Sequence, residues 1–316
     1  MTPGWMKAAL ARLPTWPYRI SLSARSARAL TLIALLLPPL IWLGVVYLGS
    51  LFALFAQSFL HIDEFSGVVV HKLGFHTYAK LFTAANLDII RRSALMAALV
   101  TIAASIVAIP IALYMALYAS PRLKSIFFVG VLLPLWSSYL VRVYAWKLIL
   151  AKEGIANWVA EHAGLGGVLN WLLALPGLGG PSLSTSYIGT FTVFLYVWLP
   201  YAILPIHAAL ERVPKSLLEA AADLNASSRA TLLHIILPLI VPGIAAGSIF
   251  TFSLTLGDYI IPGIIGPPPL FIGQAVLAHL GAAGNLPLAA AFSVAPLLIL
   301  AGYLYIARRL GAFDAL

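Results

Sequence analysis

The chain has 316 residues, of which 62% are hydrophobic and 9% are charged, and its formal net charge is +9. This composition excludes a soluble domain, because several apolar runs exceed the roughly 20 residues that a helix needs to cross a bilayer. It also excludes a disulfide framework and thiolate metal sites, because the chain contains no cysteine.

The excess of positive charge does not indicate nucleic-acid binding. The basic residues are spread along the chain and lie mainly at the ends of apolar runs, where they set the orientation of a membrane protein. We therefore expect the chain to contact membrane lipid and not to bind nucleic acid.

The N-terminal region predicts a cytoplasmic leader followed by an uncleaved membrane span. Residues 1–28 carry five basic residues and no acidic one. The apolar run 29–59 is too long for a signal-peptide core and contains no small-residue cleavage site. The pair Pro38–Pro39 predicts a kink within this first span.

Apolar runs of spanning length recur through the rest of the chain. They predict an all-α polytopic membrane protein with six transmembrane helices, in one transmembrane domain over residues 29–316. The predicted spans are about 29–59, 90–118, 126–146, 187–210, 232–256 and 288–307.

Six spans place both termini on one side of the membrane. That side has twelve basic residues and the other side has seven, so the positive-inside rule predicts that both termini are cytoplasmic. Arg91 and Arg92 oppose this trend, and we interpret them as interfacial anchors beside Asp88.

An Ala-rich, mostly polar stretch, Glu219–Pro238, interrupts the apolar pattern between the fourth and fifth spans. Together with the residues just before it, this stretch predicts a short helix, a sharp turn and a second short helix over residues 214–231. Asn225 stands at the turn, where a left-handed residue is expected, and Ser227 or Ser228 is placed to cap the second helix. An interfacial amphipathic helix without a partner is the alternative interpretation.

This stretch resembles the cytoplasmic coupling motif of ABC importer permeases, which reads Glu-Ala-Ala, three residues, Gly, nine residues, Ile, one residue, Leu-Pro. The residues Glu219, Ala220, Ala221, Ile235, Leu237 and Pro238 match it in spacing, and Asn225 replaces the glycine. The resemblance implies a type I permease fold with a pair of cytoplasmic coupling helices. It implies ATPase coupling through Glu219, Ala220, Ala221, Asp223, Asn225 and Arg229.

The sequence carries few of the residue patterns that catalysis or metal binding requires. The chain has no phosphate-binding loop, no pair of His residues at metal-ligand spacing on a helix, and no nucleophile or zinc-protease motif. We therefore predict neither a catalytic nor a metal site and no cofactor in this chain. ATP is expected on a separate subunit, so the chain is not expected to be an enzyme.

Asp258 is a carboxylate near membrane depth, at the end of the fifth predicted span. An acid at that depth is costly unless it faces a water-filled cavity or a partner, so it marks a possible substrate path. A helix cap that meets water is the alternative interpretation. Tyr259, Trp136 and Tyr139 offer aromatic faces for a cation, whereas Arg142 is the better candidate for an anionic ligand.

Three further stretches resemble the spermidine/putrescine branch of ABC importer permeases. They are residues 133–150, 253–266 and 285–294, and the resemblance runs over about 90–309. It implies a bacterial inner-membrane subunit that works with a second permease, two cytoplasmic ATPases and an extracytoplasmic binding protein.

The sequence is compatible with more than one substrate and with more than one energy source. The branch implies a polyamine such as spermidine or putrescine, while another small amine, an amino acid or a phosphonate remains open. A different class, an ion-coupled secondary carrier, would show inverted repeats and charged residues at the midplane.

Overall fold

The fold is that of a computed structural model, which describes residues 24–63, 66–281 and 283–309. Most of the leader predicted over residues 1–28 lies outside these ranges. The chain divides into a short N-terminal unit that ends at Leu54 and a larger unit that begins at Phe55.

The N-terminal unit is dominated by one apolar helix. Helix α1 (Ala24–Ile41) continues into a π-helical segment, Trp42–Leu48, and then into α2 (Gly49–Gln57), of which the last three residues belong to the larger unit. The helix runs on through Pro38 and Pro39, and the π segment follows them. Prolines remove helical hydrogen bonds, and a π turn is one way in which a helix adjusts to that loss. The apolar side chains of residues 31–53 are exposed all round, as expected for a helix that meets lipid or another span.

The larger unit is almost entirely helical. Its first part comprises the paired two-residue strands β1 (His61–Ile62) and β2 (Val69–Val70), α3 (His76–Leu81), α4 (Ala84–Leu113) with a π segment over Tyr114–Tyr118, α5 (Pro121–Trp136), α6 (Tyr139–Ile149), α7 (Ile155–His162) and α8 (Gly166–Leu173). Its second part comprises α9 (Tyr187–Glu211), α10 (Lys215–Asp223), α11 (Ser228–Thr231), a π segment over Leu232–Ile236, α12 (Leu237–Gly257), α13 (Ile260–Ile264), α14 (Ile272–Leu280) and α15 (Leu286–Arg309).

Five helical stretches in the described chain are long and apolar enough to cross a membrane, and a bent pair makes a sixth candidate. The five are Thr31–Gln57, Ala84–Tyr118, Tyr187–Glu211, Ser228–Gly257 and Leu286–Arg309. This number of spans agrees with the six that the sequence predicts.

The third predicted span needs correction. The sequence predicts one span over 126–146, but helices α5 and α6 meet there at a bend of 98°. Ser137 and Ser138 take extended backbone conformations between them, and the Ser137 hydroxyl donates to the Pro134 carbonyl at 2.8 Å. Because serine side chains compete for backbone hydrogen bonds, the pair ends one helix and starts the next.

Helices α4, α9 and α12 pack against one another and form the centre of the larger unit. Small residues make the close approach possible. A Cβ atom added at Gly243 would lie 2.6 Å from the Cβ of Ala209, and one added at Gly247 would lie 3.0 Å from the Cα of Ala202. The α9–α12 crossing therefore depends on these two glycines.

Two buried clusters fill this bundle at different heights. One includes Val143, Phe194, Trp198 and Ile261 and lies at the end where α12 stops. The other consists of the residues Ala104, Ala108, Ala112, Met115, Ala202, Ile203, Ile206, Leu210, Ile236 and Ile240, and lies towards α10. The two ends of the bundle are called the Asp258 end and the coupling end below.

Candidate functional site

The coupling segment, residues 215–231, is built around a left-handed turn. Asn225 has φ of 52° and is the one non-glycine residue with positive φ among the described residues. The N–H of Ala226 donates to the Ala221 carbonyl, and the N–H of Asn225 donates to the Ala222 carbonyl, both at 2.9 Å. These two bonds form a Schellman motif that ends α10. The predicted left-handed residue at Asn225 is confirmed.

The second helix of the segment has its own cap. The Ser227 hydroxyl accepts a hydrogen bond from the N–H of Ala230 at 3.2 Å, and so starts α11. Of the two serines that the sequence offers, the structure uses Ser227. Both sides of the turn are therefore fixed by backbone and side-chain hydrogen bonds.

The segment presents charge and apolar surface to the outside. Glu219, Asp223 and Arg229 are exposed, and no side-chain partner is found for them within the described ranges. Ala221 is buried, whereas Leu224 at the turn is 82% exposed. An exposed leucine beside two unpaired carboxylates on one helical face is suited to docking on a partner surface.

An ion pair joins the first turn of α5 to the C-terminal end of α9, just before the coupling segment. The Nζ atom of Lys124 lies 2.5 Å from Oε1 of Glu211, the last residue of α9. His207, one turn earlier, is buried, and its Nδ1 lies 3.9 Å from the other oxygen of Glu211. Sequence reasoning missed this pair, because its partners are far apart in the chain.

Asp258 occupies the opposite end of the bundle, one residue beyond α12. Its Oδ1 accepts hydrogen bonds from the N–H groups of Ile260 at 2.6 Å and Ile261 at 3.1 Å, which caps the short helix α13. Its Oδ2 accepts a hydrogen bond from the hydroxyl of Tyr139 on α6. The cap expected as one alternative is therefore present.

Asp258 lies just outside the stretch Ser228–Gly257 and is half-buried. Burial raises the pKa of its carboxyl above the ordinary value for Asp, because it disfavours the charged form. The hydrogen bonds from Tyr139, Ile261 and Ile260 oppose this rise, because they stabilise the carboxylate.

Three of the predicted path residues come together at this end. Asp258 bonds to Tyr139, and the guanidinium carbon of Arg142 lies 5.8 Å from the centre of the Tyr139 ring. The Nε and Nη1 atoms of Arg142 are buried and have no hydrogen-bond partner among the described residues. Tyr259 is half exposed beside Asp258. Trp136 is 78% exposed, and among the described residues no ring contact joins it to the cluster.

Aromatic residues that the sequence did not single out extend the cluster along the bundle. The ring of Trp198 stacks on Tyr139 with centroids 5.6 Å apart. Tyr201 meets Trp198 edge-on at 5.8 Å, and Phe250 on α12 lies 6.5 Å from Tyr201. The spacing of Trp198 and Tyr201, three residues apart on one helix, is the signal that indicates a shared face.

Below these rings, towards the coupling end, a cavity of about 400 Å³ opens between α9 and α12. Pro205, Ala208 and Arg212 of the α9 side and Pro242 and Ala246 of α12 line it. Trp198, Tyr201, Pro205 and Ala209 follow one another at spacings of three or four residues, so one face of α9 carries both the rings and the cavity wall from the Asp258 end towards the coupling end.

Residues 108–311 match the family described as "Binding-protein-dependent transport system inner membrane component". The chain belongs to this family. The permease is 54% identical over 287 residues to the inner membrane ABC transporter permease protein YdcU of Escherichia coli (strain K12), covering 91% of this chain and 92% of that protein. It is 26% identical over 269 residues to the spermidine/putrescine transport system permease protein PotB of Haemophilus influenzae, covering 85% of this chain and 90% of that protein.

Solved structures show the same fold. A chain of a bacterial ABC transporter that imports the acidic polysaccharide alginate matches the permease with a TM-score of 0.67 at 19% identity, over 90% of this chain and 96% of that chain. A chain of the alginate transporter in complex with a periplasmic protein bound to an alginate pentasaccharide gives the same TM-score, over 92% of this chain and 98% of that chain.

Family membership decides two questions that the sequence analysis raised. The chain is a permease subunit of an ABC importer, which is a transport component and not an enzyme. It is an inner-membrane component with several spanning helices. An ion-coupled secondary carrier is thereby excluded. The family match covers the coupling segment and the Asp258 cluster alike.

Proposed function

We propose that the permease forms the translocation path for a polyamine such as putrescine or spermidine. The observation that carries this proposal is the similarity to a spermidine/putrescine permease over 85% of the chain. YdcU, the more similar relative, carries no substrate in its name. The Asp258 cluster supports a cationic ligand, because a carboxylate and aromatic faces are what stabilise a cation at low dielectric.

The proposed orientation places both termini, the leader over residues 1–28 and the coupling segment in the cytoplasm. It rests on the excess of basic residues on that side, twelve against seven. In this orientation the Asp258 end faces outwards, towards the side from which an importer receives its ligand.

The proposed coupling runs through Glu219, Ala220, Ala221, Asp223, Asn225 and Arg229. A cytoplasmic ATPase subunit docks on the exposed charges and on Leu224, and the buried Ala221 lets α10 pack closely on the bundle. Since the turn at Asn225 is held by two backbone hydrogen bonds, closure of the ATPase dimer pushes the segment as a unit. The spans then rock and open the path alternately to each side.

The proposed partners are a second permease, two cytoplasmic ATPases and an extracytoplasmic binding protein. The alginate transporter solved with its periplasmic protein supports the last of these, because its permease chain has the same fold. The exposed apolar surface of the stretch Thr31–Gln57 supports a neighbour in the membrane. ATP is bound and hydrolysed by the ATPase subunits and not by this chain.

A second ligand class is favoured by Arg142. Its Nε and Nη1 atoms are buried, find no hydrogen-bond partner in the described part of the chain, and lie beside Tyr139 in the same cluster as Asp258. An amino acid has both an ammonium and a carboxylate group. Its ammonium group would bind the carboxylate of Asp258, and its carboxylate would bind the guanidinium of Arg142. This cluster thus supports an amino acid better than it supports a phosphonate that has no ammonium group to bind Asp258.

Transport by the purified complex tests the proposal. The permease is purified with the partners that accompany it and reconstituted with ATP inside proteoliposomes, and the binding protein is added outside. We expect uptake of labelled putrescine or spermidine that requires ATP, and no uptake of the uncharged analogue butane-1,4-diol. Uptake of 4-aminobutyrate in place of both polyamines would select the second ligand class, and uptake of none of these would refute both.

A further inference from the structure

The cavity of about 400 Å³ between α9 and α12, called the inner cavity below, has one charged residue in its wall. Among the described residues that line it, Arg212 alone carries a charge, and the others are apolar. Arg212 is the C-cap of α9 and is exposed, so its guanidinium stands where the cavity ends and the coupling segment begins.

The charge of Arg212 is not compensated by its neighbour in sequence. Glu211 is already paired with Lys124, whose Nζ lies 2.5 Å from Oε1. The described part of the chain provides no ion pair or side-chain hydrogen bond for the Arg212 guanidinium. The mouth of the cavity therefore carries a net positive charge.

The face that joins the two ends is thus polarised. Asp258 lies at one end, the rings of Trp198 and Tyr201 follow, and Arg212 lies at the other end, fourteen residues beyond Trp198 on the same helix. That separation corresponds to about 20 Å along the helix axis. A cation is attracted by the first end of this face and repelled by the last.

We propose that Arg212 is an exit barrier that disfavours the return of an organic cation from the cytoplasm into the inner cavity. The inference rests on the proposed function, because it needs a cationic ligand and a cytoplasmic coupling end. Its basis is Coulomb repulsion in a cavity with apolar walls, which grows with the charge of the ligand. Arg212 would then protect the importer from inhibition by the product that it accumulates.

The test measures inhibition of uptake by internal ligand. Proteoliposomes that contain the complex are loaded with ATP and with graded unlabelled putrescine, and the initial uptake of labelled putrescine from the binding protein is followed. In Arg212→Gln we expect the half-inhibitory internal concentration to fall about threefold, as for the loss of one nearby unit charge. The fall should be larger for spermidine, which carries one more charge than putrescine.

Matched variants separate the charge of Arg212 from its other contacts. Arg212→Lys keeps the charge and should retain the wild-type half-inhibitory concentration. Ala208→Glu places an acid on the exposed cavity wall and should lower the half-inhibitory concentration below that of the wild type. Arg308→Gln removes an exposed charge at the end of α15, outside the cavity, and should leave it unchanged.

The outcomes distinguish the inference from the proposed function. If putrescine is taken up but Arg212→Gln and Ala208→Glu both match the wild type, the exit barrier is refuted and the function stands. If no polyamine is taken up at all, the proposed function fails and the inference fails with it. If Arg212→Gln does not assemble, Ala208→Glu alone decides the result.

Discussion

The hydroxyl of Tyr139 donates a hydrogen bond to the carboxylate of Asp258, and this bond joins the helix that follows the Ser137–Ser138 break to the end of α12. The other carboxylate oxygen caps α13 through the N–H groups of Ile260 and Ile261. Asp258 therefore has a structural role in holding three elements together, and its negative charge lies at the end of the face that we propose as the path.

Asp258→Asn separates these two roles, because the amide oxygen still caps α13 while the charge is lost. We expect the variant to assemble and to retain basal ATP hydrolysis, and we expect putrescine uptake to fall severalfold. Glu153→Gln, at an exposed carboxylate away from the cluster, is the matched control and should transport normally. Failure of Asp258→Asn to assemble would mean that Asp258 acts only as a structural cap.

Tyr139→Phe tests the hydrogen bond itself. The variant keeps the ring that stacks on Trp198 but leaves one carboxylate oxygen of Asp258 without its donor. Loss of a partner by a half-buried charged group should cost about 1–3 kcal/mol. We expect a lower Tm of the purified complex at a fixed scan rate, and an unchanged Tm would show that water replaces the phenol at no cost.

The turn at Asn225 gives a paired prediction. Asn225→Gly should be neutral or slightly stabilising, because glycine adopts positive φ freely. Asn225→Val should cost about 1–2 kcal/mol, because a β-branched side chain clashes in the left-handed conformation. The measurement is recovery of the ATPase subunit with the tagged permease, and equal recovery from both variants would contradict the importance of this turn.

Some of this architecture could be predicted from sequence because its causes are local. An alanine-rich helix, an asparagine and a serine follow one another in the coupling segment, and each favours its observed conformation by itself. The 98° bend and the Trp198–Tyr139 stack could not be predicted, because they depend on where distant helices pack. The pair Lys124–Glu211 was missed for the same reason.

Gly243→Val tests the crossing of α9 and α12. The new side chain would meet the Pro205 carbonyl oxygen at 2.7 Å from its Cβ, so the helices must separate. Such overpacking should cost about 1–3 kcal/mol and lower the Tm of the complex. Gly302→Val on α15 has no atom within 4 Å of the added Cβ and controls for the change in helix propensity. Equal Tm values for the two variants would contradict the tight crossing.

Glu219→Lys tests the electrostatic part of coupling. The side chain is exposed, so the variant should insert and fold, while the reversed charge should weaken docking of the ATPase and lower both ligand-stimulated ATP hydrolysis and uptake. Glu153→Lys reverses an exposed carboxylate outside the coupling segment and serves as the control. Normal hydrolysis and uptake by Glu219→Lys would rule out this role.

The most direct test of the account is a cross-link between the coupling segment and the ATPase subunit. The chain contains no cysteine, so Leu224→Cys introduces a single thiol at a position that is 82% exposed in the permease. A thiol-reactive photo-cross-linker is attached to this cysteine, and the partner subunits are made Cys-free so that no other thiol reacts. It should join position 224 to the ATPase, with a yield that changes when ATP is added. Trp171→Cys, 62% exposed on α8, should give no such product. A Leu224→Cys variant that cross-links only to lipid, or no more than Trp171→Cys, would contradict the proposed coupling.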